Sequence, residues 1–275
     1  MSQPVNAPAD PPVDQPEAPL ANPTLELINA RCSTRVYDPT PLSEEEKAAV
    51  LHAAMRAPTA GNLMLYSIIE IEDQDLKDTL AKTCDDQPFI AKAPWVLVFV
   101  ADYQKWIDLF AASRVEELEG GQRRMTPGPG DLLLACSDAL IAAQNAVIAA
   151  ESLGIGSCYI GDVLEQAETH ADLLHLPNHT LPIAMLCFGH PAAQRRVTPR
   201  FTKHVVHKNA YRRLTAEELE EQLAELAAEY APHGFKPGVS NYGQVVYERK
   251  FVSDFALEMN RSVRRWLERW ETPED

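Results

Sequence analysis

The chain has few cysteines and few basic residues, and each shortage excludes a class of protein. Its five cysteines, at positions 32, 84, 136, 158 and 187, fit neither a zinc site nor a CxxC redox pair. We therefore expect reduced thiols, no metal and a cytoplasmic location. We find no apolar run long enough to span a membrane and no secretory signal at the N-terminus, so we expect no membrane partner.

Basic residues are outnumbered, with 25 Lys and Arg against 40 Asp and Glu, which gives a net charge of −15. An acidic surface repels nucleic acids and anionic membranes, so neither is an expected partner. One basic stretch, residues 195–208, stands out against this background. It directly follows an apolar strand, where a phosphate site is often found, although most charge runs are solvated loops. No Ser-His-Asp arrangement or P-loop supports a hydrolase or a nucleotide kinase.

The chain divides into three predicted segments. Residues 1–23 hold seven of the 21 prolines and almost no large apolar side chains, which predicts a disordered tail. Residues 24–215 form the predicted main domain, and residues 216–275 form a helical extension. The apolar spacing at 251–270 fits a helix that packs either on its own domain or on a partner subunit.

Strands and helices alternate in the main domain, which favours an α/β or α+β layer fold. We predict strands at 66–71, 95–101, 157–160 and 181–188. We predict helices at 25–30, 43–57, 75–84, 132–153, 165–174, 216–229 and 251–270. The central helix, 132–153, is apolar nearly all round, so it is buried or lies against a second subunit. Four glycines and two prolines predict a loop at 120–130.

Three short segments make chemical sense only together. They are RCSTR at 31–35, APTAGN at 57–62, and TPR at 198–200, which follows a GHP turn. Three arginines brought together by folding form an anion clamp, because the guanidinium stays charged and matches phosphate geometry. A glycine-containing segment, 154–161, exposes bare backbone to a flat ligand. The combination indicates a planar cofactor with a phosphate, which we interpret as FMN.

Simpler interpretations exist for each segment. Arg31 and Arg35 also fit an exposed i,i+4 pair on a helix. Arg200 also fits a charge on a surface loop. Asn62 also fits a plain turn residue, since Asn tolerates left-handed backbone geometry. Cys158 fits the role of a small, packed core residue better than that of a nucleophile.

The four motifs, in this order and spacing, resemble the FMN-dependent nitroreductase family, in its nitroreductase/flavin reductase branch. The resemblance runs from about residue 25 to Tyr211 and includes Val206-His207 after the TPR motif. It implies an α+β fold with a mixed central sheet flanked by helices, a C-terminal extension, and a homodimer with FMN at the interface. The resemblance implies these cofactor-binding residues: Arg31, Cys32, Ser33, Arg35, Pro58, Thr59, Ala60, Asn62, Tyr159, Ile160, Gly161, Arg200 and Lys203.

The resemblance also assigns roles. Arg31, Ser33 and Arg35 would hold the phosphate and ribityl chain, with Arg200 completing the clamp and Lys203 adding a cation. Thr59 and Asn62 would lie near the flavin of the opposite subunit. Tyr159, Ile160 and Gly161 would pass close to its ring and N5. Four residues depart from the usual family pattern: Cys32, Met64, Cys158 and Tyr159.

The implied activity is an NAD(P)H oxidoreductase in which the cofactor carries the chemistry. Hydride passes from the nicotinamide to flavin N5, and a nitroaromatic, quinone or flavin acceptor then takes the electrons at the same place, which predicts ping-pong kinetics. Arg35 is the candidate for stabilising the reduced flavin, and no catalytic side chain is assigned. The alternatives are a reductive dehalogenase-like relative, with the loop at 120–130 as its lid, and a non-catalytic FMN storage or sensor protein.

Overall fold

The structure is a computed structural model that describes residues 22–118, 126–193, 196–198, 200 and 202–273. Nearly all of the tail predicted at 1–23, and residues 120–125 of the predicted loop, lie outside this part. Contacts divide the chain into two compact units. Of the described residues, the larger contains those within 26–197 and 254–273, and the smaller contains those within 22–25 and 198–253. The predicted boundary between residues 215 and 216 stays a prediction.

The larger unit is built on a four-stranded sheet. Its strands are β1 (Tyr66–Ile71), β2 (Trp95–Asp102), β3 (Gly156–Ile160) and β4 (Thr180–Gly189), in the spatial order β1-β2-β4-β3. All three pairings between these strands are antiparallel. Within the described residues, parallel pairing occurs at an isolated bridge between Ser33 and Ser157. The predicted α+β class is confirmed, and each of the four predicted strands is present.

Nine α-helices occur in the described residues. They are α1 (Pro23–Ala30), α2 (Glu44–Met55), α3 (Gln74–Thr83), α4 (Gln104–Ala112), α5 (Pro129–Ser152), α6 (Ala167–Leu173), α7 (Ala216–Tyr230), α8 (Tyr242–Lys250) and α9 (Asp254–Glu271). Ser43 caps α2 through a capping box with Glu46. The helices α4 and α8 were not predicted from the sequence.

The sheet is covered on both faces. Successive residues of β2 point to opposite sides, so Val96 and Val98 join one apolar cluster while Leu97 and Phe99 join the other. Residues of α2 and α5 complete the second cluster, and residues of α3, α6 and α9 complete the first. Every residue of β2 is buried, as its apolar sequence predicts.

The long helix α5 has both a buried face and an exposed apolar face. By length and composition α5 could cross a membrane, so the expectation that no apolar run is long enough was wrong. Its buried alanines pack in the second apolar cluster. Leu133, Leu140 and Ile141 are nevertheless 70%, 41% and 41% exposed. These three residues lie on one side of the helix, because Leu140 and Ile141 follow Leu133 by seven and eight positions, which is about two helical turns. We call them the exposed α5 face.

The terminal helix α9 packs on the larger unit of its own chain. Trp266 and Trp270 are completely buried, and their indole nitrogens donate to the carbonyls of Leu164 and Gly128 at 3.0 and 3.2 Å. Arg261 extends from α9 to Glu168 on α6, with a closest N–O distance of 2.9 Å. Exposed ion pairs of this kind contribute little, so the buried tryptophans hold the helix.

The smaller unit contains α7 and α8. Thr215 and Glu218 form a capping box at the start of α7, and Arg212 pairs with Glu218 at 2.8 Å. This hydrogen-bonded arginine lowers the pKa of Glu218 to about 2. Tyr230 at the end of α7 stacks on Tyr242 at the start of α8, with ring centroids 5.4 Å apart.

Candidate functional site

The segment that contains the RCSTR motif runs in an extended conformation beside β3. Ser33 bridges Ser157 in parallel, and the backbone N–H of Thr34 donates to the Ser157 carbonyl at 2.8 Å. Farther along, Tyr37 bridges Pro191. The alternative that placed Arg31 and Arg35 on one face of a helix is therefore wrong, because α1 ends before Arg31 and the backbone bonds from Thr34 onward go to β3 and to the residues after β4.

Close packing fixes this segment on the sheet. Gly156 lies so near Thr34 that a β-carbon at this position would overlap the threonine side chain. The Tyr37 hydroxyl donates to the Thr34 carbonyl at 2.6 Å, and burial raises the pKa of that phenol strongly. Tyr37 is therefore a neutral hydrogen-bond donor that holds the segment in place.

Arg31, Ser33 and Arg35 gather around one side chain of β3, Cys158. Burial raises the pKa of the Cys158 thiol, while the Arg35 guanidinium, a hydrogen bond with Ser33 and the Arg31 guanidinium lower it. Among the described residues, neither guanidinium forms an ion pair with a carboxylate. Two cations without an internal counter-ion provide a site for an anionic ligand. The neighbouring Cys32 is buried, 8% exposed.

The end of β3 presents both a polar ring and bare backbone. Tyr159 is half-buried, its hydroxyl donates to Oε1 of Gln144 at 3.3 Å, and burial raises its pKa to about 12. Ile160 is buried, 1% exposed. Gly161 is exposed, and a β-carbon added there would meet no atom within 4 Å. This strand end leaves room for a ligand against the main chain.

The APTAGN segment forms a tight turn after α2. Pro58 follows the helix end, and residues Ala60–Asn62 make one turn of 3₁₀ helix. Gly61 and Asn62 have φ angles of 57° and 60°, in the left-handed region. Asn62 is thus a turn residue, as one interpretation held, and its exposed side chain keeps the ligand role as a prediction. Thr59 and Ala60 are half-buried.

Sequence reasoning missed Asp138, which lies beneath this turn. The carboxylate is 2% exposed and accepts the backbone N–H groups of Ala60 at 2.9 Å and Leu65 at 3.1 Å. A signal was present: Asp138 is an acidic residue in the middle of the apolar helix α5, and a buried charge requires partners.

Sequence reasoning also missed Glu165, which lies just after the end of β3. It is 5% exposed, and its Oε1 atom has no hydrogen-bond partner within the described part of the chain. Burial and the nearby carboxylates of Asp162, Asp85 and Glu258 raise its pKa to about 7. No group of His, Cys, Asp and Glu among the described residues is arranged to hold a metal ion.

The last predicted cations belong to the smaller unit. Arg200 is exposed. Lys203 lies in a turn and is not part of a helix, and its Nζ is 3.0 Å from Glu221 and 2.9 Å from Glu225. Arg195 and Pro199 lie outside the described residues. The clamp of Arg200 with Arg31 and Arg35 stays a prediction.

Comparisons with known proteins agree with these observations. Residues 28–190 match the model of the nitroreductase family. An NADPH-flavin oxidoreductase of Vibrio harveyi is 30% identical over 226 residues, which cover 82% of this chain and 90% of that protein. An oxygen-insensitive NADPH nitroreductase of Salmonella typhimurium is 34% identical over 208 residues, covering 74% and 82%. The structure of an NADPH:FMN oxidoreductase from Vibrio harveyi complexed with NAD⁺ superimposes with a TM-score of 0.72 at 26% identity, covering 90% of this chain and 98% of that one.

Proposed function

The chain belongs to the nitroreductase family, and on that basis we propose that it is an FMN-dependent NAD(P)H oxidoreductase. The observation that carries the proposal is that the segment with Arg31 and Arg35 pairs with β3, the strand that leads to the open backbone at Gly161. Within the described chain these arginines lack a carboxylate partner, so their charge is available to a phosphate. Flavin and nicotinamide chemistry also appears in the names of the relatives.

The residues present fit FMN. Arg31, Ser33 and Arg35 would bind the phosphate and ribityl chain, with Arg200 as a further phosphate ligand. Gly161 has no side chain to obstruct a flat ring, and open space lies where its β-carbon would be. Tyr159 would border the same ring. The turn that contains Thr59 and Asn62 would supply polar contacts from the other side.

The protein residues bind and orient, and the bound cofactor supplies reversible two-electron chemistry between NAD(P)H and an acceptor. Arg35 would place positive charge where negative charge develops on reduction, the type of electrostatic stabilisation that lowers such barriers. Donor and acceptor would occupy the same open face beside Gly161, which gives ping-pong kinetics. Suitable acceptors are small and planar, such as nitroaromatics, quinones and flavins.

We further propose that the protein is a homodimer in the cytoplasm. The exposed α5 face places three large apolar side chains on the surface of a helix whose other side is buried. Exposing such an apolar face to water is unfavourable, and a second copy of the chain packed against it would cover it. Cys84, Cys136, Cys158 and Cys187 are free thiols, which suits a reducing compartment.

The decisive experiment is an absorbance spectrum of the purified protein, followed by anaerobic addition of NADH or NADPH. We expect a flavin spectrum that bleaches on addition, and the faster donor identifies the preferred nicotinamide. A flavin that stays oxidised with both donors would favour a storage or sensor protein. A colourless protein that cannot be reconstituted with FMN would exclude the proposal.

A further inference from the structure

The backbone of the turn at residues 60–66 is held by side chains from two helices. Asp138 on α5 accepts the N–H groups of Ala60 and Leu65. On α4, the indole N–H of Trp106 donates to the carbonyl of Leu63 at 3.0 Å, and Nζ of Lys105 donates to the carbonyl of Tyr66 at 2.6 Å. Asp138 is distinctive because its two oxygens bind both ends of the turn.

The turn held in this way is strained. Gly61, Asn62 and Met64 have φ angles of 57°, 60° and 50°, which place three of four successive residues in the left-handed region. Gly and Asn tolerate this geometry, but an unbranched side chain such as that of Met64 does so at a cost. A strained backbone of this kind persists only when surrounding contacts over-determine it. Asp138 supplies two of those contacts.

We propose that Asp138 is a positioning residue that sets the turn carrying Thr59 and Asn62 before the cofactor binds. The inference rests on the proposed function, since it takes these two side chains as flavin contacts. A carboxylate is suited to the role because it offers two acceptors and no donor, and bonds from N–H groups to a charged oxygen are strong. Its burial excludes water, which would otherwise compete for the same N–H groups.

Substitution Asp138→Asn tests the role with almost no change in volume. The amide keeps one acceptor, but its NH₂ group faces the second backbone N–H, so one end of the turn is released. We expect the Kd for FMN, titrated by flavin fluorescence, to rise about tenfold or more. Ser262→Ala is the matched control. Ser262 is completely buried and also makes two backbone hydrogen bonds, to Ala167 and Leu164, but these hold a different segment.

A double-mutant cycle separates positioning from general stability. Asn62→Gly removes the side chain and keeps a residue suited to the left-handed geometry. If Asp138 acts through this turn, the Kd of Asp138→Asn/Asn62→Gly rises by clearly less than the product of the two single effects. Multiplicative effects, or an unchanged Kd in Asp138→Asn, would overturn the inference.

Hydrogen exchange of the wild-type chain without FMN needs no variant. It therefore tests whether the turn is held before FMN binds, even if Asp138→Asn does not fold. We expect the amides of Ala60 and Leu65 to be protected in this state, because their acceptor belongs to the protein. Exchange at unprotected rates until FMN is added would overturn the inference while leaving the proposed function intact. Failure of the wild-type chain to bind FMN would instead overturn the proposed function, and with it the role of Asp138.

Discussion

The guanidinium of Arg35 lies over the ring of Phe89, with its Cζ atom 5.7 Å from the ring centroid. Arg35 is exposed, and Phe89 belongs to the segment between α3 and β2. A cation over an aromatic face is attracted to it and loses side-chain freedom. Phe89 thus restricts the position of the Arg35 guanidinium. If this guanidinium binds an anion, losing the contact with Phe89 should weaken that binding.

Phe89→Leu should weaken FMN binding about two- to fivefold, since an exposed cation–π contact contributes about 0.5–1 kcal/mol. Phe89→Tyr keeps an aromatic face and should bind FMN as the wild type does. Fluorescence titration of the three proteins measures the effect. Equal dissociation constants for Leu and Tyr would show that the contact with Phe89 has no part in cofactor binding.

Arg200→Ala should release FMN during extensive dialysis, because a charge-assisted bond to phosphate is lost. The retained flavin is measured by the ratio of absorbance in the blue to that of the protein. Arg114→Ala is the control, since Arg114 is an exposed arginine paired locally with Glu117. Full occupancy in Arg200→Ala would remove Arg200 from the phosphate clamp.

Glu165 predicts a specific dependence of stability on pH. Its pKa in the folded protein is raised to about 7, so between its ordinary range and pH 7 the folded state holds a proton that the unfolded state has lost. The free energy of unfolding contributed by this group therefore falls as pH rises through that window. Glu165→Gln mimics the protonated form and should be more stable than the wild type by about 1–3 kcal/mol at pH 8, with little difference at pH 4. Urea unfolding at both values tests this, and an equal difference at both would contradict it.

The exposed α5 face predicts that a charge placed on it prevents dimer formation. Leu140→Glu should convert a dimer into a monomer and, if both chains contact the flavin, reduce FMN retention. Leu109→Glu is the control, because Leu109 is 49% exposed but lies on α4. Light scattering after gel filtration gives the masses. A monomeric wild type, or a Leu140→Glu variant that remains dimeric, would contradict the proposed interface.

Local chemistry explains which elements were predictable. The strands β2 and β4 are continuous apolar runs, and the capping box at Ser43 marks the start of α2. The helix α4 was missed because its N-cap, Tyr103, makes no side-chain capping bond, and α8 has no clear apolar stripe. The start of α6 was predicted two residues early, because Gln166 adopts a left-handed conformation before the helix.

The candidate site was only partly predictable for a different reason. Arginines, glycines and turn residues carry a signal in their own spacing, so Arg31, Arg35, Asn62 and Gly161 could be proposed from the sequence. Asp138 acts through a contact with residues more than seventy positions away, and Glu165 owes its raised pKa first to burial and then to nearby carboxylates, two of which, Asp85 and Glu258, come from distant segments. Such roles depend on tertiary packing, which no local pattern of residue types records.

The overlap that any side chain at Gly156 would make with Thr34 has a consequence for how this chain can diverge. The two positions share one small volume, so each limits the size of the other. In the evolution of related chains, a larger residue at 156 requires a smaller one at 34, and the two should covary. The same coupling means that Gly156→Ala should be tolerated far better together with Thr34→Gly than alone, a compensation that deep mutational scanning can detect.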